Sequence, residues 1–198
     1  ITGRRRFRGL SRKLDYKGKR KNMGLVHIYC GDGKGKTSAA IGLAVRAAGC
    51  GRRVVIARFL KTDNSGEVEI LKKLPEVTLI PCRKNFGFVR SMDEDTKRKC
   101  AAYNRELFSE AVKLAEDADL VVFDEIMAAV NYRMIPEKDV LDFLEKRPKK
   151  GEPDGLEVVL TGRNPSEALI AAADYVSEIC KRKHPFDKGI KARRGVEY

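Results

Sequence analysis

The amino-acid sequence predicts an α/β fold, a mostly parallel sheet with helices on both faces. Three observations predict it. Apolar strand-like runs at 25–29, 53–59, 77–80, 120–123, 156–160 and 175–179 alternate with helix-like stretches. The segments between them carry glycine, proline and capping residues where strand–helix turns need them. A glycine-rich loop, Cys30-Gly31-Asp32-Gly33-Lys34-Gly35-Lys36-Thr37-Ser38, separates the first run from the first helix. Repeated strand–helix units with right-handed crossovers build a parallel sheet covered on both sides. Ligands of such sheets bind beyond the carboxyl ends of the strands.

Residues 1–22 read as a basic N-terminal arm, with ten Lys/Arg against a single acid, Asp15, and almost no apolar periodicity. The arm is either a solvated tail or a segment that folds over a polyanionic ligand. It carries +9 of the net +13, which leaves +4 for the domain at residues 23–198. The domain therefore lacks the concentrated positive charge of a nucleic-acid binder, and nucleic acid is not its expected partner.

Within the domain, strand 25–29 enters the glycine loop, and a helix runs on from it to about residue 48, where Gly49 and Gly51 stop it. A buried strand at 53–59 leads through a polar loop to a short helix at 67–74, ended by Pro75. Strand 77–80 precedes a loop at 81–90 that carries Phe86 and Phe88. Ser91 is the expected cap of a long helix, with Glu94 completing a capping box. Ala102, Leu107, Phe108, Ala111, Val112 and Ala115 mark the apolar side of that helix.

Strand 120–123 ends in Asp124-Glu125, and Pro136 opens a helix to about residue 146. A surface turn is expected at 149–154. Strand 156–160 ends in Thr161-Gly162-Arg163. Asn164, Pro165 and Glu167 read as the N-cap, N1 and N3 of a helix to about 173. Strand 175–179 and a basic tail at 181–198 close the chain.

Composition bounds the function classes. Hydrophobic content of 42% and charged content of 35% fit a soluble globular protein. No apolar run approaches the roughly 18 residues of a membrane span, and the basic N-terminus lacks the apolar core of a secretory signal. Five scattered cysteines with no C-x-x-C pair predict neither a disulfide framework nor a zinc site, and point to a reducing, cytoplasmic compartment.

The chemistry centres on residues 30–38. Strand, glycine-rich loop and helix stand in the order of a phosphate-binding P-loop, G-x-x-x-x-G-K-[ST], although the first glycine falls at 31 instead of 30. Backbone N–H groups of Gly31, Asp32, Gly33, Lys34 and Gly35 would cradle phosphates, Lys36 would reach the outer ones, and the Thr37 hydroxyl would bind Mg²⁺. This makes the sheet a P-loop NTPase, of RecA-like architecture. Asp124-Glu125 stands where a Walker B acid belongs, and strand position alone does not choose between the two for the metal; the alternative is an acidic cap on the next helix.

Phe86 and Phe88 are either loop packing or an aromatic wall for a large flat ligand. Arg163 is a candidate phosphate contact, whereas His27 reads as a strand residue and His184 lies in the tail. The residues by themselves point to a Mg²⁺–nucleoside triphosphate protein. Hydrolase, kinase and other transferase remain open at this point, as do a RecA-like ATPase acting with nucleic acid and a regulatory nucleotide-binding module.

From residue 24 onward the chain resembles the P-loop type of corrinoid adenosyltransferase of the bacterial cobalamin pathway, known as cob(I)alamin or cob(I)yrinic acid a,c-diamide adenosyltransferase. The resemblance is carried by Gly31-Asp32-Gly33-Lys34-Gly35-Lys36-Thr37-Ser38-Ala39-Ala40, Arg46-Ala47-Ala48-Gly49-Cys50-Gly51, Phe59-Leu60-Lys61, Asp124-Glu125 and Thr161-Gly162-Arg163-Asn164. The tail Lys183-His184-Pro185-Phe186-Asp187-Lys188-Gly189-Ile190-Lys191-Ala192-Arg193-Arg194-Gly195-Val196-Glu197-Tyr198 is the most discriminating stretch. The late first glycine is shared by that family.

The resemblance implies transfer of the 5′-deoxyadenosyl group of ATP to Co(I) of a corrinoid (cobalamin, cobinamide or cobyrinic acid diamide), with triphosphate leaving. It implies that residues 31–38 and Arg46 bind ATP as co-substrate, with Lys36 catalytic. Thr37 and Glu125 would ligate Mg²⁺ (or Mn²⁺), with Asp124 beside them. Phe86 and Phe88 would face the corrinoid and displace its lower axial ligand, easing reduction of Co(II); some members carry Trp where this chain has Phe88. A homodimer and an electron donor such as a reduced flavoprotein are further implied.

Overall fold

The computed structural model describes residues 22–147 and 154–198. All of the expected basic arm except Asn22, and residues 149–153 of the expected surface turn, lie outside the described residues.

Six strands form one parallel sheet: β2 (Val26–Cys30), β3 (Val54–Arg58), β4 (Val77–Leu79), β5 (Leu120–Asp124), β7 (Glu157–Thr161) and β8 (Tyr175–Glu178), in the order β4-β3-β5-β7-β2-β8. A two-residue pair, β1 (Asn22–Met23) with β6 (Asp154–Gly155), is also parallel. The helices are α1 (Lys36–Gly49), α2 (Gly66–Leu71), α3 (Glu94–Ala115), α4 (Ile126–Asn131), α5 (Glu137–Lys146) and α6 (Glu167–Ala171). Strand β7 lies between β2, which feeds the glycine loop, and β5, which carries the acidic pair. The α/β expectation of a mostly parallel sheet holds.

Side-chain alternation along the strands separates two cores, one on each face of the sheet. Val54, Ile56, Leu120, Val122 and Val159 point to one face, where Ala40, Ala44 and Ala48 of α1 and Leu71 of α2 cover them. Alanines at four-residue spacing present a flat strip, so α1 lies close against the sheet. Val55, Ala57, Val121, Phe123, Val158 and Leu160 point to the other face, against Leu107, Phe108 and Ala111 of α3 and Val140 and Leu144 of α5. Phe123 sits inside this second core with ring centroids 6.0 Å from Phe59, 5.3 Å from Phe108 and 5.3 Å from Phe143. Such buried ring contacts add about 0.5–1.5 kcal/mol per pair beyond area burial.

Two helix starts differ from the expectation. Asp93, not Ser91, caps α3: its side chain accepts from the Thr96 N–H at 2.7 Å. Ser91 instead ends a 3₁₀ turn over Val89–Ser91, and its hydroxyl donates to the Phe88 carbonyl. Aspartate accepts as well as serine does and adds negative charge at the helix start, so the later candidate wins. Likewise Ser166, not Asn164, caps α6 by accepting from the Leu169 N–H, while Asn164 takes a left-handed φ of 52° in the preceding turn.

Candidate active site

The register sets the carboxyl ends of four strands in a row: Tyr29 of β2 is level with Thr161 of β7, and Arg58 of β3 with Asp124 of β5. The glycine loop, Asp124-Glu125 and Thr161-Gly162-Arg163 therefore meet on one edge of the sheet, as the strand pattern predicts.

The glycine loop is held from behind by the chain that leaves β8. The Gly33 N–H donates to the Ile179 carbonyl at 2.7 Å. A β-carbon on Gly33 would lie 2.6 Å from that oxygen and 2.9 Å from the Cys180 carbonyl carbon, so only glycine fits. From Gly35, helix α1 starts with no side-chain cap. Its first N–H groups are thus left for a ligand, at the positive end of the helix dipole.

Lys36 is 9% exposed, and its ammonium donates to the Gly33 carbonyl at 2.8 Å, which folds the side chain over the loop. Burial, seconded by the charge of Arg163, pulls its pKa below the ordinary lysine value, while the charges of Glu125 and Asp32 act in the opposite direction. Arg163 donates to the Asp32 carbonyl at 3.3 Å.

The basic tail returns to this loop. The Lys181 N–H donates to Asp32 Oδ1 at 2.8 Å, and this bond leads in holding the Asp32 carboxyl below its usual range. Lys34 Nζ pairs with Glu197 Oε1 at 3.1 Å, and Arg193 grips the same carboxylate. Hydrogen bonds from the Arg193 side chain and backbone lead in bringing the Glu197 pKa down to about 2. His184 is structural, its Nδ1 accepting from the Phe186 N–H. His27, near the amino end of β2, stacks on Tyr175 with ring centroids 4.7 Å apart.

A cradle of oxygens lies beside the loop. Asp124 is wholly buried. Its Oδ1 accepts from the Thr37 hydroxyl at 2.9 Å and the Thr161 hydroxyl at 2.7 Å. Thr161 in turn accepts from the Glu125 N–H at 2.8 Å. Glu125 holds a left-handed φ of 62° at the start of α4. Of the two acids it is Asp124 that touches Thr37, whereas Glu125 exerts its charge on Lys36.

Lys61 completes the cradle: its Nζ donates to Thr37 Oγ1 at 2.9 Å and also to Asp124 Oδ2. The chemical reading of the sequence assigned no role to Lys61 or to the Thr161 hydroxyl. The available signals were the family stretch Phe59-Leu60-Lys61 and a lysine three positions past the carboxyl end of a buried strand. Ser38 is exposed in the first turn of α1. Arg46 is exposed in the last turn of α1, ten residues beyond Lys36, or about 15 Å along the axis at 1.5 Å per residue, and is not brought to the loop.

The two phenylalanines have different surroundings. Phe86 is half-buried, its ring 5.8 Å from that of Tyr103, which also carries Lys84 Nζ above its face. Phe88 is 87% exposed. A cavity of about 20 Å³, room for about one water, lies between Lys61, Arg58, Asn104, Tyr103 and Phe86. Val89 and Arg90, which follow Phe88 in the chain, line a cleft of about 600 Å³ together with Lys97, Arg105, Arg133 and Glu94 among others. Among the described residues, no three His, Cys, Asp or Glu side chains gather as a protein-only metal cage would need, and no helix is long and apolar enough to cross a membrane.

Residues 22–198 match the family model for ATP:corrinoid adenosyltransferase BtuR/CobO/CobP. The chain belongs to this family. Among its relatives is the corrinoid adenosyltransferase of Escherichia coli K12, 34% identical over 181 residues that cover 88% of this chain and 86% of the relative. The corrinoid adenosyltransferase CobA of Salmonella typhimurium LT2 is 33% identical over 178 residues, with coverage of 88% and 86%. The corrinoid adenosyltransferase of Pseudomonas aeruginosa PAO1 is 32% identical over 183 residues, with coverage of 90% and 86%. Family membership disfavours the nucleic-acid-linked ATPase.

Proposed function

We propose that this adenosyltransferase moves the 5′-deoxyadenosyl group of ATP onto the Co(I) centre of a corrinoid and releases intact triphosphate. The observation that carries this reading is the continuity between cradle and aromatic loop. Lys61 touches Thr37 and Asp124 at its ammonium and lines, with Phe86, the cavity beneath the loop that bears Phe88. The phosphate end and the corrinoid end of one site thus share a residue.

In this reading the corrinoid lies over the exposed Phe88 ring. Cobalt, part of the substrate, gives its electron pair to the ribose C5′. The Co–C bond forms as the C5′–O bond breaks, and that bonding pair departs on the triphosphate. Because the nucleophile is a metal electron pair with no proton to lose, the protein's task is to position the reactants and stabilise leaving-group charge. Lys36, the loop amides of residues 31–35 other than Gly33, whose N–H is taken by the Ile179 carbonyl, and the uncapped start of α1 bind the triphosphate oxygens. Arg163 adds positive charge beside Lys36.

The oxygens of Thr37 and Asp124 fit Mg²⁺ (or Mn²⁺), since they already hold a cation, the Lys61 ammonium, between them. Those two residues would hold the metal, with Glu125 adjacent, and the metal would neutralise charge on the departing triphosphate. A homodimer is the assembly, and a reduced flavoprotein the class of electron donor, that this reading takes from the resemblance.

The test is incubation with ATP, Mg²⁺ and chemically reduced cobalamin. The expected products are adenosylated cobalt and intact triphosphate in equal amounts. Orthophosphate release stimulated by DNA or RNA, with no adenosyl product, would overturn the reading.

A further inference from the structure

Lys61 occupies the place where a divalent cation would sit. Its ammonium touches Thr37 Oγ1 and Asp124 Oδ2, the two groups best suited to ligate a metal there. This is not the outcome of a long surface side chain finding a nearby acid. The segment that delivers Lys61 is fixed at each step before it. Phe59 is fully buried, and its N–H donates to the Asp124 carbonyl at 2.9 Å. Leu60 then takes a left-handed φ of 54°, a conformation that is strained for a residue bearing a β-carbon. The Leu60 N–H is held by Asn104 Oδ1 at 3.3 Å, and Asn104 is itself buried and anchored to the Cys100 carbonyl at 2.8 Å. This turn at Leu60 sends Lys61 back across the strand ends to the glycine loop.

Asp124 is wholly buried, and a buried carboxylate without a counter-charge is strongly destabilising. A nucleotide-free cradle therefore needs a cation, and Lys61 is the one it has. A divalent ion entering alone would have to displace that ammonium and sit near Lys36 as well. Entering with a triphosphate, it brings an anion that takes up the displaced lysine.

We propose that Lys61 is a positioning residue that holds the metal seat in the nucleotide-free enzyme and yields it only when metal and ATP arrive together. Its ammonium keeps the Thr37 hydroxyl and the Asp124 carboxylate in ligating geometry, excludes free divalent cations, and pairs with the triphosphate once released. This rests on the metal reading given above, and the experiment separates the two.

Mn²⁺ binding is measured by the loss of its free electron paramagnetic resonance signal, with and without ATP, for the wild type and for Lys61→Met and Lys61→Gln. Nucleotide-free wild type is expected to bind Mn²⁺ weakly, and each neutral variant at least tenfold more tightly. With ATP present that advantage should shrink to less than threefold. A merely structural lysine would give the opposite, with weaker Mn²⁺ binding in the variants, and that result, or equal affinities in folded protein, overturns the proposal. If wild type with ATP takes up no Mn²⁺ beyond that bound by ATP alone, the metal reading falls instead.

A second measurement needs no variant. The Lys61 side-chain ¹⁵N resonance of the wild-type chain is expected to shift when Mg²⁺ and ATP are added together and to stay in place with Mg²⁺ alone. A shift with Mg²⁺ alone, or none with both, also overturns the proposal.

Discussion

The Gly33 N–H donates to the Ile179 carbonyl at 2.7 Å, and this bond ties the glycine loop to the chain leaving the edge strand. The contact explains a glycine that the P-loop pattern does not require. Any β-carbon at Gly33 would press on Ile179 and Cys180 backbone atoms, which cannot rotate away. Gly33→Ala is therefore expected to push the loop off its support. Unfolding in urea should record a loss of about 1–3 kcal/mol, the range of a named backbone defect. Calorimetric titration should record ATP binding weakened at least tenfold. Wild-type affinity in the variant would mean that the loop tolerates the shift.

Lys36 tests the phosphate assignment separately from the fold. Its ammonium is bonded to Gly33 within its own loop and pairs with no carboxylate among the described residues. Removing it should cost little stability while removing the charge aimed at the triphosphate. Lys36→Ala is expected to keep a melting temperature within a few degrees of wild type and to lose adenosyl transfer with ATP binding. Retained turnover would refute the P-loop role of this residue.

Much of this site is legible in the sequence because strands and the residues at their carboxyl ends are written in local patterns. Apolar runs gave the strands, and their last residues gave the edge on which Thr37, Asp124, Thr161 and Arg163 meet. Cap choice is less legible, since Ser91 and Asp93, or Asn164 and Ser166, accept comparably well, and a small bias such as the charge of Asp93 at the helix start decides between them. Lys61 was hidden for another reason. Its role depends on the left-handed turn at Leu60 and on Asn104 forty-four positions later, and neither leaves a periodic trace. Arg46 stood in a family stretch, yet helical rise carries it away from the loop.

The tail contact at the loop has a defined pH window. Hydrogen bonds from the Arg193 side chain and backbone bring the Glu197 carboxyl down to about 2, well below the ordinary glutamate value of 4.5. A depressed carboxyl contributes its stabilisation in full above the unfolded value and loses it as pH falls through the folded one. The Lys34–Glu197 and Arg193–Glu197 pairs should thus persist unchanged from pH 8 down to about 4.5, and weaken only below it, toward pH 2. A carboxyl ¹³C titration of Glu197 by nuclear magnetic resonance checks this, and a midpoint near 4.5 would mean that the tail is not held on the loop. Glu197→Gln should free Lys34 at all pH values.

Phe86 and Phe88 separate structure from chemistry within one loop. Phe86 packs on Tyr103 and against the core below it, so Phe86→Ala should lower stability. A full core truncation of Phe costs about 3–5 kcal/mol, and a half-buried ring less. Phe88 is 87% exposed and supports nothing beneath it. Phe88→Ala should leave stability within about 0.5 kcal/mol. Its effect should fall on the substrate: if the ring displaces the lower axial ligand, turnover starting from Co(II) corrinoid with a reductant should drop much more than turnover from pre-reduced Co(I). Equal losses from both starting states would remove Phe88 from that role and leave it as a binding surface. Phe88→Trp, the residue some members carry, is expected to restore the Co(II)-dependent rate, because a larger ring at the same exposed position can fill the same face of the corrinoid.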